Sequence, residues 1–155
     1  MAKGVTVELP GKTPMRLTHL VLDFTGTLSL DGKLLPGVAV RLKSLAQDFQ
    51  ISVLTADTFG TACSELKDLP VEVRVVPDKE KADIVEAMGA DHVVAIGNGR
   101  NDLLMLERVR LGIVVIGPSG CAAELIDAAA IVTRDVWEAL DLLTHPRRLT
   151  AALRE

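Results

Sequence analysis

The chain has 155 residues, 48% of them hydrophobic and 25% charged, which fits a globular protein with a buried core and excludes a disordered one. Aromatic residues make up only 3%, with no Tyr, so the core must be built from Val, Leu, Ile and Ala, as in a parallel sheet covered by helices. A net charge of −4 gives no basic footprint for nucleic acid, and the longest apolar runs, 93–96 and 113–116, are too short to span a membrane.

The elements are predicted in chain order from their periodicity. Val5, Val7 and Leu9 alternate with polar residues, and Pro10-Gly11 turns the chain toward residues 15–17, which predicts an edge hairpin. Residues 19–23 read as a buried strand. Residues 29–36 are rich in turn formers, with Asp31-Gly32 as a hairpin signal, and read as a small flap. Val38, Leu42, Leu45 and Phe49 fall at helical spacing. Strand and helix then alternate four times: strands at 51–55, 71–76, 92–96 and 112–116, helices at 58–66, 78–88, 101–108 and 121–129. Gly89 stops the second of these helices. A short strand at 130–133 and C-terminal helices broken by Pro146 complete the chain. This alternation predicts one α/β domain over 1–155, with an open, doubly wound, mainly parallel sheet that binds ligands beyond the carboxyl ends of its strands.

Cys63 and Cys121 form no CxxC pair and no disulfide framework, and both read as reduced, packed thiols. The start of the chain shows no secretory pattern, which points to the cytoplasm. His19, His92 and His145 are too dispersed for a metal-site spacing.

Four candidate sites fall at or just beyond predicted strand ends. Asp23-Phe-Thr-Gly-Thr-Leu28 offers a carboxylate that could act as a nucleophile, with Gly26 allowing backbone N–H groups to approach an anion. A turn former or helix cap is the plainer reading of Asp23 alone. Leu54-Thr-Ala-Asp57 offers a hydroxyl donor at Thr55, or simply a helix N-cap at Thr55 or Asp57. Lys81 stands early in its helix, beside an unremarkable Lys79. Ile96-Gly-Asn-Gly-Arg-Asn-Asp102 is a glycine-spaced polar loop opening a helix, suited to a phosphate or a metal-bound phosphate.

Taken in order, Asp, Thr, Lys and Gly-x-Gly-x-Asn-Asp resemble the motif set of the haloacid dehalogenase superfamily. Asp23-Phe-Thr-Gly-Thr-Leu28 looks most like the phosphorylation motif of P-type ATPases, and Leu54-Thr-Ala-Asp57 with Thr61-Ala62 is similar to their second motif. The Ile84-Val85 pair three residues after Lys81 makes it a better match to the lysine motif than Lys79. The whole chain resembles the small family of soluble, P-type-ATPase-like proteins. The resemblance implies a three-layer Rossmann-like fold and phosphoryl transfer through an aspartyl-phosphate. Asp23 is then the nucleophile, and Thr55, Ala56, Gly26 and Lys81 hold the phosphoryl group. Asp23, the Thr25 carbonyl, Asn98 and Asp102 serve Mg²⁺, with Asp102 orienting its water shell.

Two departures from the superfamily pattern qualify this. Thr25 replaces the usual acid/base Asp, and such catalysis is typically worth about 10²–10⁴-fold, so slow hydrolysis is expected. Asn98 replaces a metal-binding Asp, so weak Mg²⁺ affinity is expected. The gaps between motifs leave no room for a cap domain. The resemblance implies that such a capless site takes a large substrate or is closed by a second copy in a homo-oligomer; a phosphorylated small molecule or a phosphoprotein is the expected partner. The alternatives are a phosphate- or partner-binding regulatory module without turnover, and a phosphotransferase.

Overall fold

A computed structural model describes residues 2–155. The strands are β1 (Val5–Val7), β2 (Met15–Leu17), β3 (His19–Leu22), β4 (Ser29–Leu30), β5 (Lys33–Leu34), β6 (Gln50–Thr55), β7 (Glu72–Val75), β8 (Val93–Gly97), β9 (Leu111–Val115) and β10 (Ile131–Thr133). The helices are α1 (Val38–Leu45), α2 (Ala62–Glu65), α3 (Lys81–Met88), α4 (Leu103–Arg108), α5 (Glu124–Ala128), α6 (Val136–Thr144) and α7 (Pro146–Leu153). Single 3₁₀ turns, Asp78–Glu80 and Arg100–Asp102, lead into α3 and α4.

Six strands form one parallel sheet in the order β10-β9-β8-β3-β6-β7. Side chains of a strand alternate between faces, and both faces here are apolar because both are covered. Leu20 and Leu22 of β3, with Val94 and Ile96 of β8, pack with Leu42 of α1 and Leu140 of α6. Val21 and Ala95 point the other way, toward Val85 of α3, Leu106 of α4 and Leu125 of α5. These two clusters make the three layers. From β3 the chain steps through α1 and α2 to the edge strand β7, then reverses along the sheet with helices on the opposite face. Opposite faces are what right-handed crossovers in opposite directions require.

The N-terminal hairpin departs from its expected place. β1 and β2 pair antiparallel as a separate two-stranded sheet, not as an edge of the main one. Val7, Met15 and Leu17 are buried in the same core as Leu149 of α7, so apolar burial rather than strand pairing sets their position. Pro146 opens α7 instead of ending a helix; a first-turn Pro loses no helical hydrogen bond. The flap forms as expected, with Asp31 and Gly32 both at positive φ (52° and 82°), as a two-residue hairpin turn requires. Cys63 is exposed and so is not the packed thiol that its neighbours suggested, whereas Cys121 is half-buried and packs against the cluster of Val21, Ala95 and Leu106. None of the described helices is long and apolar enough to cross a membrane.

Candidate active site

β8, β3 and β6 lie side by side where the strand order reverses, the usual ligand position in open α/β sheets. Asp23 directly follows β3, Thr55 ends β6, and Asn98 directly follows β8. Together with Thr25 and Ala56 they line one cleft of about 200 Å³. Thr58, Asp78, Gly99 and Asn101 complete its wall. A larger hollow of about 440 Å³ beside β10 contains none of the motif residues.

Beneath the cleft, Lys81 is 1% exposed, and its Nζ donates to Asp23 Oδ1 at 3.1 Å and to Asp102 Oδ1 at 3.0 Å. Lys79, on the preceding turn, is exposed. Burial alone would depress the Lys81 pKa, but Asp102 and Asp23 outweigh it and hold the ammonium above its usual value. Asp23 is pushed up to about 8, first by burial and then by Asp102, against the opposing pull of Lys81. Two carboxylates share one cation, and Asp23 keeps a proton at neutral pH unless a second cation arrives. No buried side-chain polar atom among the described residues lacks a partner, so the second oxygen of Asp23 faces the cleft.

Asp102 is fully buried, and both its oxygens are committed. Oδ1 accepts from Lys81, while Oδ2 accepts from the N–H groups of Asn98 and Gly99, each at 3.2 Å. It therefore positions the lysine and the loop and has no direct access to the cleft. A Cβ on Gly97 would lie 2.4 Å from Asp102 Oδ2, which explains a glycine at the end of β8. Gly26 also differs from its expected role. Its N–H donates to Ser29 O at 3.1 Å and is not free for an anion. Gly26 instead has φ 79°, and a Cβ there would sit 2.4 Å from Asn98 Nδ2. Glycine lets the Asp23 loop close onto Asn98.

Asn98 is held from both ends. Its Oδ1 accepts from Thr27 Oγ1 at 3.1 Å and its Nδ2 donates to Gly120 O at 3.3 Å. Thr55 Oγ1 accepts from Asp57 N at 2.8 Å, which leaves its own proton for an acceptor in the cleft. The capping role belongs to Asp57, whose Oδ1 accepts from Thr61 N and Ala62 N, both at 3.0 Å. His19 and His145 bond to near neighbours in the chain, His92 Nδ1 bonds with Arg16 O at 2.9 Å, and none of the three lines the cleft. Asp78 and Asn101 were not singled out by sequence, although Asn101 Nδ2 donates to Asp78 Oδ1 at 2.9 Å on the cleft wall.

As a metal site, the cleft is lined by one ionisable carboxylate (Asp23), by Thr25, and by Asn98, whose amide oxygen accepts from Thr27 Oγ1. Hard oxygen donors fit Mg²⁺, and their low total charge fits weak binding. Among the described residues no three His, Cys, Asp or Glu side chains cluster in a way that could hold a metal.

In sheet order and helical layers the chain shares the fold of solved haloacid dehalogenase (HAD) superfamily hydrolases. Similar solved structures include the 3-deoxy-D-manno-octulosonate 8-phosphate phosphatase of Moraxella catarrhalis, in complex with magnesium, phosphate and KDO. Its TM-score is 0.72 at 19% identity, over 88% of this chain and 90% of that one. The cobalt-bound form of the corresponding Haemophilus influenzae phosphatase gives 0.72 at 16% identity, over 87% of this chain and 91% of that one. Phosphoserine phosphatase in its apo form gives 0.66 at 14% identity, over 82% and 99%. By sequence, the chain belongs to one family with an uncharacterized protein of Methanocaldococcus jannaschii, 46% identical over 63 residues, 41% of this chain and 68% of that protein. No family profile matches it.

Proposed function

We propose that the protein is a Mg²⁺-dependent phosphohydrolase that works through an aspartyl-phosphate on Asp23. The observation that carries this is the position of Asp23, at the sheet's switch point, with one oxygen held by buried Lys81 and the other facing an open cleft. In the first step Asp23 attacks phosphorus and the bond to the leaving group breaks. In the second, water attacks phosphorus and the bond to Asp23 breaks, releasing phosphate.

Phosphoryl transfer depends mostly on positioning and charge neutralisation. Lys81 offsets the charge that develops on the phosphoryl oxygens, Thr55 donates its hydroxyl, and Ala56 places its backbone at the same wall. Asp102 keeps Lys81 charged and fixes the loop that carries Asn98. Mg²⁺ held by Asp23, the Thr25 carbonyl and Asn98 would ionise Asp23 and neutralise phosphoryl charge. Thr25 cannot accept a proton as a carboxylate would, so turnover is slow and the phosphoenzyme long-lived, as in the P-type-ATPase-like pattern of its motif. The magnesium- and phosphate-bound neighbour supports this reading. The substrate class is a phosphorylated small molecule or phosphoprotein that an uncapped cleft can admit. A p-nitrophenyl phosphate assay with and without Mg²⁺ tests it: metal-dependent turnover abolished in Asp23→Asn supports the proposal, and activity equal in the two proteins rejects it.

A second reading, a phosphate-binding module without turnover, is favoured by Asn98 and Thr25, each lacking the charge that turnover uses. Phosphate binding that Asp23→Asn preserves, with no hydrolysis, distinguishes it.

A further inference from the structure

With Thr25 in place of a carboxylate, the water that breaks the phosphoenzyme needs another proton acceptor. Of the side chains that line the cleft, only Asp23 and Asp78 are carboxylates. Asp23 carries the phosphoryl group at that stage, which leaves Asp78. We propose that Asp78 is the proton acceptor for the water that hydrolyses the aspartyl-phosphate, and that Asn101 positions it.

Asp78 opens the 3₁₀ turn that leads directly into Lys81, and this turn packs against the turn carrying Asn101 and Asp102. Asn101 Nδ2 donates to Asp78 Oδ1 at 2.9 Å, which holds the carboxylate at the wall and leaves its other oxygen without a side-chain partner. Asn98 is held against Gly26 and Thr27, whereas Asp78 is bonded by Asn101 and opens the turn that leads into Lys81. Asp78 is exposed, so solvent reaches it directly.

The step balances. Water oxygen forms a bond to phosphorus as its proton passes to an Asp78 oxygen. The phosphorus–oxygen bond to Asp23 breaks, its electron pair restores the Asp23 carboxylate, and inorganic phosphate leaves. The proton on Asp78 then returns to solvent. An acceptor of this kind is typically worth about 10²–10⁴-fold, and an exposed carboxylate lies toward the lower end.

This proposal rests on the phosphohydrolase reading, and rapid-mixing kinetics with p-nitrophenyl phosphate and Mg²⁺ separates the two. In Asp78→Asn, which keeps the Asn101 contact, the first-turnover burst of nitrophenol persists while steady-state turnover falls about 100-fold and phosphorylated Asp23 accumulates. Asp78→Glu recovers part of the steady-state rate, and Asn101→Leu lowers it without abolishing the burst. Steady-state turnover within twofold of wild type in Asp78→Asn overturns the proposal alone. A burst and a steady state reduced in equal proportion also overturn it, since that marks a structural role. Wild-type protein with no Asp23-dependent turnover overturns both readings.

Discussion

Replacing Lys81 by Met removes the cation between two buried carboxylates while roughly preserving its shape. Nζ lies 3.1 Å from Asp23 and 3.0 Å from Asp102, with the lysine side chain 1% exposed. Breaking a buried ion pair by deleting one partner costs about 3–5 kcal/mol. Asp102 would still accept from Asn98 N and Gly99 N, so the loss at pH 6 should be near the low end, about 3 kcal/mol. The pH dependence is more diagnostic. Burial, then Asp102, raise Asp23 from an ordinary 3.8 to about 8 in the folded metal-free protein. Between those values the folded state holds a proton that the unfolded chain lacks. Wild-type stability therefore falls as pH rises, by up to about 1.4 kcal/mol per unit, and levels off above pH 8. Without Lys81 nothing opposes the upward shift, so Asp23 keeps its proton past pH 8 and the decline continues. The variant's deficit at pH 9 should then exceed that at pH 6 by up to about 1.4 kcal/mol. Urea denaturation in the presence of EDTA at both pH values measures it. A deficit under about 1 kcal/mol at pH 6, or one that shrinks at pH 9, would refute the buried-triad account.

Mg²⁺ must displace the Asp23 proton, so its affinity should rise by up to about tenfold per pH unit from pH 6 to 8, and calorimetric titration that finds no pH dependence would contradict this. Asn98→Asp adds a second anionic donor beside Asp23, though it loses the bond to Gly120 O; the same titration should show at least about tenfold tighter Mg²⁺ binding, with unchanged affinity counting against Asn98 as a ligand. Thr25→Asp restores a carboxylate at the cleft wall, and steady-state hydrolysis of p-nitrophenyl phosphate should rise by about 10²-fold or more. No gain would mean that position 25 does not reach the water or leaving group.

Much of this site was legible because strand ends are readable. Short continuous apolar runs located β3, β6 and β8, and parallel packing brings their carboxyl ends together whatever the loops do. Asp23, Thr25, Thr55, Ala56 and Asn98 line one cleft for that reason. Resemblance to the lysine motif, through Ile84-Val85, singled out Lys81, and it is Lys81 that lies buried against the two carboxylates while Lys79 is exposed. What escaped were contacts between elements. The approach of the Asp78 turn to the Asn101 turn depends on how α3 and α4 pack, which no local pattern records. The same holds for Asp102, whose motif suggests access to a metal but whose oxygens are consumed by Lys81 and two N–H groups. Gly26 looked like part of an anion cradle, whereas its close approach to Asn98 is a long-range fact. The helix expected at 58–66 shortened to α2 because Asp57 takes φ 58° and caps only from Thr61 onward.

The most direct test of the account is to quench the protein in acid shortly after mixing with acetyl phosphate and Mg²⁺ and to map phosphorylation by mass spectrometry. A hydroxylamine-sensitive phosphate on Asp23, absent in Asp23→Asn, is the predicted result. Turnover of acetyl phosphate with no label on Asp23, or with the label on another residue, would contradict the account at its centre.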